Sequence, residues 1–279
     1  MTDAHSARGN AQSAVQSAQS EALAARLRAA GCVFAEEEAA VLVDAARDVE
    51  HLEEMAARRC AGEPLEHVVG TVRFGSVDLQ VGPRVFIPRQ RSLLLAQVAA
   101  ETLHERHVEQ PVVVEAYCGV APIAAAVADG TVGARIHVVD IDPTALEYAR
   151  RNLPVGAHAH LGDGLSTLPR QLQGAVDVIA AVPPYVPDGA VDLLPHETEH
   201  EPQAALLAGH DGLDHIRRLV ADAPTWLADG GALLMEMNAA QAEQILTERG
   251  DDWADSERIV GDDGQTAVVR LVRRSRVRG

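Results

Sequence analysis

The fold class is indicated most clearly by residues 112–152, which read VVVEAYCGVAPIAAAVADGTVGARIHVVDIDPTALEYARRN. This stretch reads as an apolar strand, a short helix, a second apolar strand and an amphipathic helix that begins at Pro143. Strands that are apolar along their whole length and alternate with helices are typical of a parallel sheet covered on both faces. The same alternation continues to the end of the chain, so the sequence predicts an α/β, doubly wound domain over residues 92–279.

The residues ahead of this domain differ from it in composition and in hydrophobic pattern. Residues 1–17 are polar and repetitive, which predicts a flexible leader. Residues 18–65 carry small apolar side chains at helical spacing and predict an N-terminal helical domain, in which residues 36–62 form one helical pattern. Valine and phenylalanine alternate with polar residues around glycines in residues 66–91, which predicts a β-hairpin linker.

Composition excludes several kinds of chemistry. All 24 basic residues are arginine, so no lysine Schiff base, lysine general base or Walker-type phosphate loop can be built. The formal charge of −17 argues against nucleic acid as the main partner, because phosphate backbones are bound by surplus Arg and Lys. Three scattered cysteines are expected to be reduced thiols in a cytoplasmic protein, and the absence of a long apolar run predicts no membrane partner.

Candidate binding residues follow the strands of the predicted sheet. Glu115 ends the first strand, Asp140 ends the second, Asp163 follows the third, and the sequence VPPY (182–185) follows the fourth. Ligands of doubly wound sheets bind at the carboxyl ends of the strands, and an acidic residue that ends the second strand is suited to a ribose diol. The turn after the first strand is poor in glycine and has no arginine, which favours a nucleoside-type cofactor without a diphosphate.

The order and spacing of several motifs resemble one family over residues 20 to 272. The chain is similar to the class I S-adenosylmethionine-dependent methyltransferases and, within them, to the protein-(glutamine-N5) methyltransferases that modify the GGQ glutamine of peptide chain release factors. The motifs that carry the resemblance are EPLEHVVGTVRFGSVDLQVGPRVFIPR (63–89), VVDIDPTALEYARRN (138–152), HEPQAALLAGHDGLDHIRRL (200–219) and LLMEMNAAQ (233–241).

The resemblance implies a Rossmann-like class I fold, S-adenosyl-L-methionine as cofactor, and a protein acceptor such as a release factor. Cofactor binding is then expected from Glu115, Tyr117, Gly119, Ala121, Asp140 and Asp163, with Asp140 on the ribose, Asp163 on the adenine edge and the turn facing the methionine moiety. Catalysis is expected at Val182, Pro183 and Tyr185, and acceptor binding at Pro183, Pro184, Tyr185 and Arg89. The two prolines stiffen the chain where the acceptor nitrogen must be held in line with the methyl group.

Two departures from the family pattern bear on function. Val182 occupies the asparagine position of the Asn-Pro-Pro-Tyr signature, and a valine cannot hydrogen-bond an amide. Tyr117 and Ala121 occupy the outer positions of a Gly-x-Gly-x-Gly turn, of which only Gly119 remains. Two alternatives stay open on this ground: an S-adenosylmethionine enzyme acting on a small molecule in secondary metabolism, with or without methyl transfer, and a non-catalytic binding protein.

Four further motifs have simpler interpretations. HETEH (196–200) fits a zinc-protease pattern, but the prolines on either side leave too short a helix, so no metal is expected. HAH (158–160) is expected at a surface or sheet-edge position. Glu236 is expected to tie down a backbone amide, and Arg91 to hold a carboxylate or form a salt bridge.

Overall fold

The computed structural model describes residues 20–193 and 200–275 of a chain that divides into two units, Met1–Thr71 and Val72–Gly279. The smaller unit is helical. Its helices are α1 (20–29), α2 (Ala35–Ala45), α3 (Val49–Cys60) and α4 (Leu65–Val69). Their apolar faces meet in one core, whose largest fully buried side chains are Leu27, Leu42 and Met55.

The single helical pattern predicted over residues 36–62 is wrong, because the chain breaks it into α2 and α3. Asp48 has an extended backbone and its carboxylate accepts a hydrogen bond from the amide of His51 at 2.8 Å. An aspartate in this position caps the first turn of a new helix and so favours a break over continuation.

The predicted hairpin is present as β1 (Thr71–Phe74) and β2 (Val77–Gln80). Gly75 lies at the turn with a φ of 57°, a conformation that favours glycine. From Val72 onward, the apolar side chains of this segment lie in the main core of the larger unit, where Phe74 and Leu79 are fully buried. The hairpin is therefore part of the larger unit's packing.

The larger unit contains a seven-stranded sheet in the order β5-β4-β3-β6-β7-β9-β8. The strands are β3 (Val112–Ala116), β4 (Arg135–Asp140), β5 (His158–Leu161), β6 (Val176–Ala181), β7 (Leu227–Asn238), β8 (Trp253–Val260) and β9 (Thr266–Arg273). The predicted parallel arrangement holds from β5 to β7. It is wrong at the other edge, because β9 runs antiparallel to both β7 and β8.

Helices cover both faces of the sheet, which confirms the doubly wound α/β class. One core forms against α5 (Leu93–Arg106), α6 (Pro122–Gly130) and α7 (Pro143–Asn152), and the other against α8 (Asp214–Trp226) and α9 (Ala239–Glu248). The strand order reverses between β3 and β6. The carboxyl ends of these two strands therefore flank the crevice in which such folds bind ligands.

The sheet edge at β5 carries three stacked histidines. His158 and His160 lie on β5, as the prediction of an edge position for this motif requires, and His137 lies on the neighbouring β4. Nδ1 of His137 is 3.1 Å from Nε2 of His160. Within the described ranges, no helix is both long enough and apolar enough to cross a membrane.

The histidine cluster predicts acid sensitivity. Burial, and then the neighbouring imidazoles His160 and His158, lower the pKa of His137 to about 4, whereas an unfolded histidine keeps a pKa of about 6.5. The unfolded chain therefore takes up the proton first, and stability falls as the pH drops from 6.5 towards 4. We expect His137→Gln to remove up to about 3 kcal/mol of this pH dependence. Urea unfolding across this range measures it.

His210→Gln is the control, because His210 is exposed. That variant should keep the pH dependence of the wild-type protein. An unchanged pH dependence in His137→Gln would contradict the assignment.

Candidate active site

A cavity of about 290 Å³ opens at the carboxyl ends of the central strands, at the point where the strand order reverses. Its wall includes the turn after β3, the end of β4 and the segment after β6. Most of the residues predicted to bind cofactor or acceptor line it: Glu115, Tyr117, Gly119, Asp140, Val182, Pro183, Pro184, Tyr185 and Arg89. The topology of the sheet thus gathers side chains that are far apart in sequence.

The turn after β3 keeps a backbone suited to glycine while carrying other side chains. Tyr117, Gly119 and Ala121 have φ values of 55°, 53° and 63°, all in the left-handed region. This conformation costs a residue with a side chain about 1–2 kcal/mol. A methyl group added at Gly119 would meet no atom within 4 Å, so space remains beside the turn. Strain of this kind is concentrated where a ligand is held.

Glu115 holds the helix that follows this turn. Its two carboxylate oxygens accept hydrogen bonds from the amides of Ile123 at 3.3 Å and Ala124 at 2.7 Å, in the first turn of α6. The side chain is buried, and burial raises its pKa to about 8 although both amides act in the opposite direction. Glu115 is therefore committed to fixing the turn between β3 and α6 against the cavity.

Asp140 has the geometry of a ligand-binding carboxylate. Its Oδ2 accepts a hydrogen bond from the amide of Gly119 at 2.7 Å, and its Oδ1 accepts one from the amide of Asp142 at 2.9 Å. A carboxylate has about four acceptor sites, so acceptor capacity remains on the cavity side. Burial is the main cause that raises the pKa of Asp140. Asp142 in turn caps α7 by accepting from the amide of Thr144.

Tyr117 and Asp163 are neighbours at one end of the site. The hydroxyl of Tyr117 is 3.3 Å from Nδ1 of His215, and burial, followed by the charge of Asp163, raises the pKa of Tyr117 to about 12. Asp163 is ion-paired with Arg218, whose guanidinium also donates to the carbonyl of Asp163 at 3.1 Å. Asp163 does not lie in the cavity wall, and neither does Ala121.

The VPPY segment continues directly from β6, which ends at Ala181. Pro183 and Pro184 are buried, and Val182 packs against the core. The hydroxyl of Tyr185 accepts a hydrogen bond from Arg91 at 3.0 Å, and its carbonyl accepts one from Nε2 of Gln241 at 2.9 Å. Both ends of the tyrosine are therefore fixed.

Arg89 is held by a buried carboxylate. Its guanidinium donates to Oε2 of Glu201 at 2.6 Å, while Oε1 of Glu201 accepts from the amide of Ile87 at 3.0 Å. The guanidinium also lies 4.7 Å from the centre of the Phe86 ring. Arg89 thus fixes the segment that carries it, and it reaches the cavity wall as part of that segment.

Sequence reasoning missed two residues that position the site. Glu201 holds the segment of Ile87 and Arg89. The side-chain amide of Gln241 donates both to the carbonyl of Tyr185 and, at 3.0 Å, to the carbonyl of Asp211, and so links the two. Both residues lie in motifs quoted for the resemblance, so a signal was present. The partners named here lie between 30 and 114 positions away along the chain, which local patterns cannot reveal.

The similarity of the chain to curated proteins identifies its family. No protein-family model matches the chain. A release factor glutamine methyltransferase of Streptomyces coelicolor is 37% identical over 210 residues, which cover 73% of this chain and 73% of that protein. One of Mycolicibacterium smegmatis is 38% identical over 205 residues, covering 71% of each. The chain belongs to the release factor glutamine methyltransferase family.

A solved structure supports the fold of this family member. A 16S rRNA methyltransferase of T. thermophilus, in complex with AdoMet and guanosine, superposes with a TM-score of 0.53 at 20% identity, covering 73% of this chain and 50% of that one. At this identity the likeness concerns the fold alone. It confirms the class I methyltransferase fold that the resemblance predicted.

The zinc-protease pattern at 196–200 lies outside the described residues except for His200. Within the part of the chain that the structure describes, no group of three or more His, Cys, Asp or Glu side chains is arranged to hold a metal ion. Cys118, beside the turn, is buried, and burial raises the pKa of its thiol. It is therefore a packed thiol and not an activated nucleophile.

The contacts of Gln241 predict its contribution to stability. Gln241→Ala leaves the carbonyls of Tyr185 and Asp211 without their donor and removes the capping box of α9, so we expect a loss of about 1–3 kcal/mol in the free energy of unfolding. Gln244→Ala, on the exposed side of the same helix, should change it by less than about 0.5 kcal/mol. Urea unfolding measures both, and equal losses would contradict the positioning role.

Proposed function

We propose that this protein transfers a methyl group from S-adenosyl-L-methionine to the side-chain amide nitrogen of a glutamine in a peptide chain release factor. The observation that carries the proposal is the cavity at the reversal of strand order, lined by Asp140 and the VPPY segment in a chain of this family. The names of the relatives favour a protein acceptor over a small molecule or a purely binding role.

The residues of the cavity fit the cofactor. Asp140 keeps acceptor capacity for the ribose hydroxyls, and the left-handed turn leaves open space beside Gly119 for the methionine moiety. Bound there, S-adenosylmethionine supplies an electrophilic methyl group on a sulfonium. Asp163 lies outside the cavity wall and is paired with Arg218, so it would have to exchange part of that contact to take the adenine amine.

The acceptor would meet the other wall of the cavity. The buried Pro183 and Pro184 fix the backbone after β6, so that the carbonyl of Pro183 can accept from the acceptor amide. Tyr185, held by Arg91 and Gln241, would pack against the substrate. Arg89 would contribute through the segment that Glu201 anchors.

The charge of the chain favours a protein acceptor over a nucleic acid. With a formal charge of −17 it disfavours phosphate backbones, so a nucleic acid is not proposed as substrate. Release factors act during protein synthesis, so a cytoplasmic location is part of this proposal.

Methylation of a purified release factor tests the proposal. The purified chain, the cofactor and a bacterial release factor should give one methyl group on the glutamine of the GGQ motif, located by peptide mass spectrometry. A release factor with that glutamine replaced by glutamate should stay unmodified. Cofactor binding without any modification of the glutamine would overturn the acceptor assignment.

The role of Asp140 predicts a loss of cofactor affinity. Asp140→Asn replaces a charged acceptor facing the ribose, which is worth about 1.5–3 kcal/mol, so we expect the dissociation constant of S-adenosylmethionine to rise about 10- to 100-fold. Asp78→Asn makes the same chemical change at an exposed residue of the hairpin and should leave it unaltered. Isothermal titration calorimetry measures both, and equal affinities would remove Asp140 from the site.

A further inference from the structure

Glu236 is a buried carboxylate in the cavity wall that the cofactor and acceptor residues leave unexplained. Its side chain is only 1% exposed, and it lies among the residues that line the cavity. Neither carboxylate oxygen accepts a hydrogen bond from any described residue. The sequence interpretation that Glu236 ties down a backbone amide is therefore wrong for the described chain. A buried acceptor without a donor is costly, so its retention in a cavity calls for a ligand donor.

The register of the sheet places this carboxylate beside Val182. Ala180 pairs with Leu234 and Ala181 with Met235 on the parallel strands β6 and β7. Val182 is the first residue after β6, and Glu236 is the next residue of β7. Val182 packs against the core that contains Ala180 and Leu234, and the alternation of side chains along β7 places Glu236 on the same face as Leu234. Both also line the cavity. Glu236 thus stands next to the position that carries asparagine in the family signature.

The charged and titratable groups around Glu236 come from three segments. The guanidinium of Arg91 lies 3.6 Å from Oε1 of Glu236 and donates to the hydroxyl of Tyr185. Asp263, from the turn before β9, adds negative charge. Burial is the main cause that raises the pKa of Glu236, while the neighbouring Ser92 and Arg91 lower it. Ser92 does not reach hydrogen-bond geometry with the carboxylate. Arg91 balances the charge but leaves the acceptor sites of the carboxylate free for a ligand.

We propose that Glu236 takes the role that the asparagine of the family signature has towards the substrate. Its carboxylate accepts a hydrogen bond from the side-chain N–H of the substrate glutamine and then takes up that proton. The inference rests on the proposed function. In the reaction the nitrogen forms a bond to the methyl carbon as the carbon–sulfur bond breaks, and the electron pair of that bond stays on sulfur. The nitrogen thus exchanges one proton for a methyl group, and Glu236 receives the proton.

Glu236→Gln tests this role, because glutamine keeps the size and one acceptor oxygen but cannot take up a proton. We expect kcat/KM for the release factor to fall about 100-fold, the scale of one general base, with the affinity for S-adenosylmethionine retained. The wild-type kcat/KM should rise with pH through the raised pKa of Glu236, and the variant should lose that rise. Glu236→Asp, which keeps the carboxylate, should restore the pH dependence in part. Glu243→Gln, an exposed control on α9, should behave as wild type.

A double-mutant cycle with Val182→Asn separates this proposal from a structural role. If the two positions serve the same substrate nitrogen, Val182→Asn should increase activity more in the Glu236→Gln background than in the wild type. The two fold-increases should differ by a factor of at least about five. Equal gains in both backgrounds, or an unchanged pH profile in Glu236→Gln, would overturn the role of Glu236. If the wild type itself neither binds cofactor nor methylates the release factor, the proposed function fails instead. The melting temperature checks that each variant is folded.

Discussion

The site depends on one buried interaction, the pair of hydrogen bonds that the Glu115 side chain accepts from the first amides of α6. Those amides have no partner within the helix, and the hydrogen bonds to the Glu115 side chain satisfy them. The interaction fixes where α6 begins and so forces the chain through a tight left-handed turn. That turn carries Gly119, whose amide orients Asp140 on the neighbouring strand. The cavity wall is thus built outward from a residue that is itself satisfied.

The same turn combines a backbone that favours glycine with side chains other than glycine. Three alternate residues keep left-handed φ values, although two of them are not glycine. The strain that Tyr117 and Ala121 carry is tolerated because Glu115, Asp140 and the core on either side determine the backbone path. At the opposite wall Val182 carries no polar group, while the carboxylate of Glu236 on β7 lies buried without a hydrogen-bond donor among the described residues. Both features concern side chains that face the cavity and not the scaffold.

Local patterns were sufficient for the scaffold and for most of the cavity wall. Apolar strands followed by Glu115, Asp140 and the prolines after β6 could be placed because parallel strands bring their carboxyl ends to one edge. The strand β8 was missed because it is a mostly exposed, polar edge strand, and the break at Asp48 because a cap interrupted an otherwise continuous helical pattern. Local patterns do not carry tertiary contacts. These contacts set the partners of Glu201 and Gln241, and they leave Glu236 without a hydrogen-bond donor among the described residues.

The most direct test of this account is a crystal structure of the protein with S-adenosylhomocysteine and a peptide containing the GGQ motif. The ribose hydroxyls should bind Asp140, and the glutamine amide nitrogen should lie within hydrogen-bonding distance of Glu236. The carbonyl of Pro183 should lie on the same side of the amide. A ribose held away from Asp140, or a glutamine bound out of reach of Glu236, would contradict it.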